Sequence, residues 1–354
     1  MGRSSSTNGP EFNKPKVIDI RRHDENMNLS SHIRSGLKNK DDNATRSLPS
    51  LLLWDEEGLR RFEDVTYSPE YYLTDTEIAL LEANAQEIVR YLEQGCIILE
   101  LGSGNLRKTS ILLEAVNESC NNVDYFALDL DRNELIRTLE QLDPHRLPNV
   151  ACHGLLGTYD DGLDWITQPE HAARPVCILF LGSTIGCMTH DEAGSFLRDW
   201  TAALTKALDM PPSTNRKSIL LGLDCCTNEQ KVIPAYNDRD GANQRFILNV
   251  IRHANSHLGY EAFSSEDWTV TGFWNADKNR HEQYLRPLRT VNFEGRSLQK
   301  DEPVLVAYSH KYNDEDLRKL LESTKSREIA RFTTKDEAYG MSLLVLDLPF
   351  ICCS

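Results

Sequence analysis

The sequence predicts an alternating α/β fold, with a parallel sheet covered by helices on both faces. Three observations carry this. Short, nearly uninterrupted apolar runs recur at 96–104, 123–130, 176–186 and 218–226, as expected of strands buried on both sides. Segments with helical spacing separate them. The first run ends in Gly102-Ser103-Gly104 immediately before a helix. The chain has 354 residues, enough for two domains at about 100–200 residues each. Its 40% hydrophobic and 26% charged residues permit a buried core.

Residues 1–12, MGRSSSTNGPEF, read as a flexible tail. A short helix is expected over 30–37, then a charged loop (KNKDDNATRS), then an apolar stretch and an amphipathic helix in SLPSLLLWDEEGLRRFEDV. Thr74 precedes Glu77 by three residues, the spacing of a capping box, and Ile78, Leu81, Ala85, Ile88 and Leu92 continue a helix over about 77–94. The alternation then begins. CIILELGSG is strand, 106–118 helix, VDYFALDL strand, RNELIRTLEQL helix and VACHGLL a weaker strand. VCILFLGSTIG is strand, HDEAGSFLRDWTAALTKAL helix and SILLGLDCC strand. Beyond Cys226 the pattern changes to helices over 227–260, a hairpin over 268–286 and a strand at 304–312. A capped helix, NDEDLRKLLEST, and a last strand, GMSLLVLDL, close the chain. We expect 13–75 and 227–311 to form a second, substrate-binding lobe, and 76–226 with 312–354 to form the sheet domain.

Composition narrows function. A net charge of −15 argues against nucleic acid and anionic membrane surfaces as partners, because phosphate contacts need clustered Lys and Arg. The sequence has neither an apolar run long enough to span a bilayer nor a signal-peptide pattern at its start. The nine cysteines form no CxxC pair and no zinc-ligand set with histidine. They read as reduced, mostly buried thiols of a cytoplasmic protein, and no metal is expected. Oligomeric state is not legible.

The glycine turn is where chemistry is expected, since ligands of open parallel sheets bind beyond the carboxyl ends of the strands. A dinucleotide fingerprint would place a third glycine where Arg107 stands, so that reading fails. Asp129 and Asp131 end the next strand, about 25 residues past Gly104, where a carboxylate can accept from ribose hydroxyls. A tight turn beside two solvated acids is the plainer alternative. The pattern E-x-G-x-G in this context resembles Rossmann-like methyltransferases, whose loop borders S-adenosylmethionine.

The resemblance becomes specific over LPSLLLWDEEGLRRFEDVTYSPEYYLTDTE, ELGSGNLRKT, YFALDLD, GLLGTYDDGLDW, FLGSTIG, AYNDRDGANQRFILN and YSHKY, in order over about 20 to 345. These resemble the EgtD-type family of S-adenosylmethionine-dependent amino-acid N-methyltransferases, which includes histidine methylases of ergothioneine synthesis and fungal dimethylallyltryptophan N-methyltransferases. The resemblance implies a Rossmann-like class I methyltransferase sheet with a second lobe. It implies cofactor contacts from Gly102, Ser103, Gly104, Lys108, Asp129, Thr158, Tyr159, Gly182 and Ser183. It implies a substrate pocket of Trp54, Tyr71, Cys187, Tyr236, Gln283, Ala307 and Ser309, with Tyr71 and Tyr236 on the amino acid's carboxylate. On their own, Lys108 reads equally as a surface helix lysine, and Tyr71 and Tyr236 as half-buried aromatics.

Two departures direct the substrate expectation. Cys187 stands where the family's asparagine holds the amino-acid end, and Ala307 where histidine methylases place a glutamate on the imidazole. Losing that charge-assisted bond removes about 1.5–3 kcal/mol of imidazole selectivity. An aromatic, indole-derived amine or amino acid in fungal specialised metabolism is therefore expected. Histidine Nα-methylation and a non-catalytic cofactor-binding regulator are the alternatives. A length of 354 residues is also expected to leave no room for the second, sulfur-inserting module of fused fungal enzymes. The residues identify no general base; Asp160 and Asp161 read as an exposed loop pair.

Overall fold

The computed structural model describes residues 16–22, 28–38, 45–119, 121–208, 215–324 and 326–346. The expected tail at 1–12, Cys120, Cys352 and Cys353 lie outside these. In chain order the elements are β1 (Val17–Asp19), α1 (Leu29–Leu37), β2 (Arg46–Ser47), α2 (Glu56–Thr66), α3 (Tyr72–Val89), β3 (Ile97–Leu101), α4 (Thr109–Glu118) and β4 (Val123–Asp129). Next come α5 (Arg132–Leu139), β5 (Val150–Leu156), α6 (Tyr159–Ile166), α7 (Pro169–Ala172), β6 (Val176–Phe180), α8 (His190–Leu208) and β7 (Lys217–Asp224). The remainder is α9 (Glu229–Ala235), α10 (Ala242–Leu258), β8 (Trp268–Asn275), β9 (Arg280–Pro287), β10 (Val291–Phe293), β11 (Arg296–Leu298), β12 (Val304–His310), α11 (Asp314–Ser323), β13 (Arg327–Thr333) and β14 (Tyr339–Val345).

The large sheet has the strand order β1-β5-β4-β3-β6-β7-β14-β13. All neighbours pair in parallel except β14, which runs antiparallel to both β7 and β13. Apolar residues on both faces explain the unbroken hydrophobic runs. Ile98 joins one core with helices α3, α4, α5 and α10, while Ile97, Leu99 and Leu101 join a second core with α6, α8 and α11. The first core continues into the smaller sheet, β2-β12-β9-β8, through Leu285, Val304 and Val306. Strand order reverses between β3 and β6, and the loops leaving these two strands form the floor of the main cavity.

Three local readings differ from the sequence expectation. The helix expected over 77–94 spans Tyr72–Val89, and Thr74 and Glu77 lie inside it rather than capping it. Glu77 is fully buried because distant groups claim its carboxylate. It accepts from the Gly182 amide (2.9 Å) and the Tyr339 hydroxyl (2.8 Å), and pairs with Lys108 at 2.8 Å. Strand β1 pairs with β5 at the edge of the large sheet, although it lies in the segment assigned to the second lobe. Strand β13 went unread because its burial pattern is irregular and a bulge interrupts its pairing with β14.

Gly222 on β7 is required by close approach: a Cβ there would collide with the Glu77 carboxylate. Glu77→Ala would leave the Gly182 amide, the Tyr339 hydroxyl and Lys108 without this partner. Breaking such a buried pair costs about 3–5 kcal/mol. Equilibrium denaturation should show a loss of that size, and a loss below about 1 kcal/mol would remove Glu77 from its role as the fold's internal tie.

Candidate functional site

Strand β3 delivers Glu100 into the interior, where its carboxylate accepts from Thr109 (2.7 Å) and Tyr125 (2.5 Å). Burial pushes the Glu100 carboxyl up to about 7. This acid ties β3 to the start of α4 and to β4. Gly102 and Gly104 adopt φ of 72° and 55°, the left-handed region that favours glycine. A Cβ on Gly102 would approach the Tyr159 hydroxyl at 3.0 Å, so the turn passes close over that ring. Between the glycines, the Ser103 hydroxyl is buried and has no hydrogen-bond partner.

The two acids at the end of β4 divide their work. Asp131 caps α5 by accepting from the Glu134 amide at 2.9 Å. Asp129 lies across the glycine turn, accepting from the Leu130 amide (2.7 Å) and, at 3.5 Å, from the Gly104 amide. Removal from water raises its carboxyl to about 6. The Thr158 hydroxyl and amide are occupied in a capping box with Asp161 at the start of α6. Asp161 is buried by that cap, so Asp160 and Asp161 are not the exposed pair expected.

A cavity of about 470 Å³ opens from the glycine turn toward the small sheet. On the side of the glycine turn its lining includes Gly102, Ser103, Gly104, Lys108, Gly182 and Ser183. Asp129, Thr158 and Tyr159 are outside this lining, grouped beside or behind the turn. On the far side, Trp54, Tyr71, Cys187, Tyr236, Gln283, Ala307 and Ser309 all line the same cavity. A bulge in β12 between Leu305 and Ala307 lets consecutive residues reach it. Ala307 pairs across the strands with Gln283, whose side-chain oxygen accepts from Asn243 at 2.6 Å.

One cavity wall is aromatic. Trp54, Phe62 and Phe246 contact one another with ring centroids 5.2–5.3 Å apart. Tyr71 meets Phe62 edge-on at 6.0 Å and Tyr236 at 5.8 Å. Two carboxylates, Glu63 and Glu134, also line the cavity, and both are paired with Arg137. Burial raises the phenol pKa of Tyr71 and Tyr236 well above the usual value, so both keep their protons. The Cys187 thiol opens onto the cavity, unlike buried Cys96, Cys177 and Cys226, and its surroundings push it up to about 11.

Sequence reasoning missed Phe62, Asn243, Phe246 and Lys311, and it reads Asp224, at the end of the fifth predicted strand, as a core and lobe-junction residue rather than a nucleophile. Phe246 and Asn243 stand three apart on α10, a helical spacing visible in the AYNDRDGANQRFILN stretch. Lys311 directly follows β12 (Val304–His310), and no local pattern marks it. Nothing local marks Phe62.

Comparison with known proteins agrees with this geometry. The family described as "Histidine-specific methyltransferase, SAM-dependent" matches residues 29–346. Ergothioneine biosynthesis protein 1 of Neurospora crassa is 41% identical over 93% of this chain, which spans only 36% of that protein. N-methyltransferase imqF of Aspergillus flavus is 31% identical over 94% of the chain and 88% of its own length. The 4-dimethylallyltryptophan N-methyltransferase easF of Claviceps purpurea is 35% identical over 86% of the chain and 91% of its own length. The glycine turn, the acid across it and a match over nearly the whole described chain lead to one assignment: the chain belongs to the S-adenosylmethionine-dependent histidine-specific methyltransferase family.

Proposed function

We propose that this chain N-methylates a small aromatic amino acid or amine, indole-derived and of the dimethylallyltryptophan kind, in fungal specialised metabolism. The observation that carries the reading is the cavity's chemistry. Its wall is aromatic, and the two acids among its described lining residues, Glu63 and Glu134, are already paired with Arg137 rather than held for an imidazole. Ala307 leaves space where a longer side chain would intrude. A cytoplasmic setting fits the free thiols. The second reading, histidine methylation, is favoured by the 41% identity to the Neurospora protein.

The residues present fit S-adenosylmethionine. The left-handed glycines make a cradle, the Ser103 hydroxyl waits for a partner, and Asp129 offers a carboxylate at the end of β4. Bound there, the cofactor supplies an electrophilic sulfonium methyl group for in-line transfer. Asp129 would accept from the ribose hydroxyls, with Tyr159 and Thr158 toward the base. Lys108 would meet the amino-acid end while sharing its charge with Glu77. Gly182 and Ser183, which line the same cavity, would lie between cofactor and substrate.

On the substrate side the protein orients more than it reacts. Tyr71 and Tyr236, protonated throughout the working range, would donate hydrogen bonds to the substrate and take no proton from the amine. Cys187 is likewise a neutral thiol near pH 7. The amine therefore reaches transfer already deprotonated or loses its proton to water, and alignment carries the rate.

Two outcomes test this reading. Asp129 is ionised above about pH 6 and protonated below it, so cofactor affinity should fall as pH drops through 6. Asp129→Asn should bind more than tenfold more weakly at pH 7.5, a loss of about 1.5–3 kcal/mol, with that pH limb flattened. Calorimetry at pH 5 and 7.5 reads both, and an unchanged affinity in the folded variant would remove Asp129 from the site. For the substrate, wild type should turn over an indole amino acid faster than histidine. Ala307→Glu should shift that ratio about tenfold toward histidine, because the new carboxylate pairs with an imidazole and otherwise sits buried without a partner. Cys187→Asn should help substrates with a free amino-acid end. Wild type preferring histidine, or a ratio unmoved by Ala307→Glu, would favour the second reading.

A further inference from the structure

Helix α10 carries Asn249, His253 and His257 at intervals of four, a stripe that runs from buried Asn249 through half-buried His253 to exposed His257. The two imidazoles meet: their Nε2 atoms are 3.0 Å apart and their ring centroids 4.7 Å apart. His253 Nδ1 lies 2.9 Å from the Leu52 carbonyl oxygen. A carbonyl only accepts, so this nitrogen holds the proton. In the neutral ring the lone pair is then on Nε2, turned toward His257. Neither histidine lines the cavity.

This is the arrangement in which an imidazole ligates. A metal-bound histidine keeps its other ring nitrogen on a carbonyl or carboxylate, which fixes tautomer and orientation, and Leu52 does that here. Bonds from imidazole to a transition metal are about 2.0–2.1 Å long, so two of them to nitrogens 3.0 Å apart enclose an angle of about 94°. That is the angle between neighbouring ligands of a square-planar or octahedral ion. Desolvation and the adjacent His253 ring lower the pKa of His257 against the opposing pull of Asp55, which favours the uncharged, ligating form. The surroundings also suit a cation. His257 stands in the last turn of α10, at the negative end of the helix dipole. Asp55 acts on both rings through its field, while its oxygens are taken by the Gly58 amide, Asn249 and Arg252. A second close pair lacks these features: His190 and His310 also stand 4.7 Å apart, but His310 Nε2 is 3.3 Å from the Arg280 guanidinium, which repels a cation. Among the described residues no cluster of three or more His, Cys, Asp or Glu is placed to hold a metal, so water completes the shell at this pair.

We propose that His253 and His257 form a surface site for a divalent transition-metal ion of the class imidazole prefers, Ni²⁺, Cu²⁺ or Zn²⁺, bound through their two Nε2 atoms. Binding replaces the contact between the rings. The His257 proton passes from Nε2 to Nδ1 by way of solvent, so both lone pairs face the ion and the pair's protonation is unchanged. The bound ion is a clamp. It joins the last two turns of α10 to a histidine held on Leu52, in the turn Ser50–Leu53 directly before Trp54. The same helix bears Phe246, whose ring centroid is 5.3 Å from that of Trp54. The site therefore braces the aromatic wall from outside the cavity, whatever amine the protein methylates.

Titration calorimetry with Ni²⁺ at pH 7.5 tests it, on wild type, His257→Gln and His253→Gln. Wild type should bind one equivalent at least tenfold more tightly than either variant. His257 is exposed and its replacement leaves the Leu52 bond intact, so His257→Gln decides if His253→Gln does not fold. Ligation by cysteine thiols would be common to all three proteins and cancels in the comparison. Mg²⁺, which takes oxygen ligands, should bind wild type and His257→Gln alike. Ni²⁺ should also raise the unfolding temperature of wild type and leave that of His257→Gln in place, because a ligand that binds only the folded chain stabilises it. Equal Ni²⁺ affinity in wild type and His257→Gln, or no binding to wild type, overturns the site. Tighter Ni²⁺ binding to wild type without the rise in unfolding temperature overturns the clamp.

Discussion

A single buried carboxylate ties the floor of the cavity to the body of the protein. Glu77 rises from α3 and meets an amide on the loop after β6, a hydroxyl on β14 and the lysine that opens α4. Three segments that are distant in sequence therefore close on one charge. An ionised group with no access to water is tolerable only when its partners are fixed and complete. That requirement fixes the loop at Gly182 and Ser183, orients Lys108 along the cavity edge and demands a glycine at 222. The catalytic space is shaped by the need to satisfy this group.

A second buried charge pair, Lys311 with Asp224, repeats the device one layer further on. Asp224 leaves the end of β7 as Gly182 leaves the end of β6, and the Ser183 hydroxyl accepts from the Asp224 amide at 3.0 Å, joining the two systems. Four strand ends, of β3, β4, β6 and β7, thus present their polar groups together at the point where strand order reverses. The sheet supplies rigid positions, and the small sheet, α2 and α10 supply the wall that faces them. The glycine turn and the loop after β6 bring backbone, hydroxyls and Lys108 to the cavity, while α2 and α10 bring the aromatic rings of Phe62 and Phe246.

The acids nearest the aromatic wall show how context decides chemistry. Glu63 and Glu134 line the cavity, yet both spend their charge on Arg137. Their presence in the sequence says nothing about a substrate cation. The phenols behave in the opposite sense. Burial makes Tyr71 and Tyr236 poorer acids, so both face the cavity as neutral hydroxyls.

By itself the sequence determined the α/β alternation, the glycine turn and the acid across it, because each is a local pattern in a short span of chain. Continuous apolar runs mean strands buried on two sides, and a turn between strand and helix needs glycine where φ is positive. It also placed Trp54, Tyr71, Tyr236 and Ala307 as candidates through resemblance, and the tertiary structure brings them to one cavity. Only the tertiary structure decided the rest. Thr74 and Glu77 have the spacing of a helix cap, and the fold draws Glu77 inward because partners about 31, 105 and 262 residues away in sequence need it. Lys311 looks like any lysine after a strand until Asp224, 87 residues earlier, is laid beside it. Strand β1 is three residues long and has no pattern to read; only pairing with β5 makes it a strand. Local periodicity encodes what a segment can become, while the groups that must share a buried charge are chosen by which segments the finished sheet brings together.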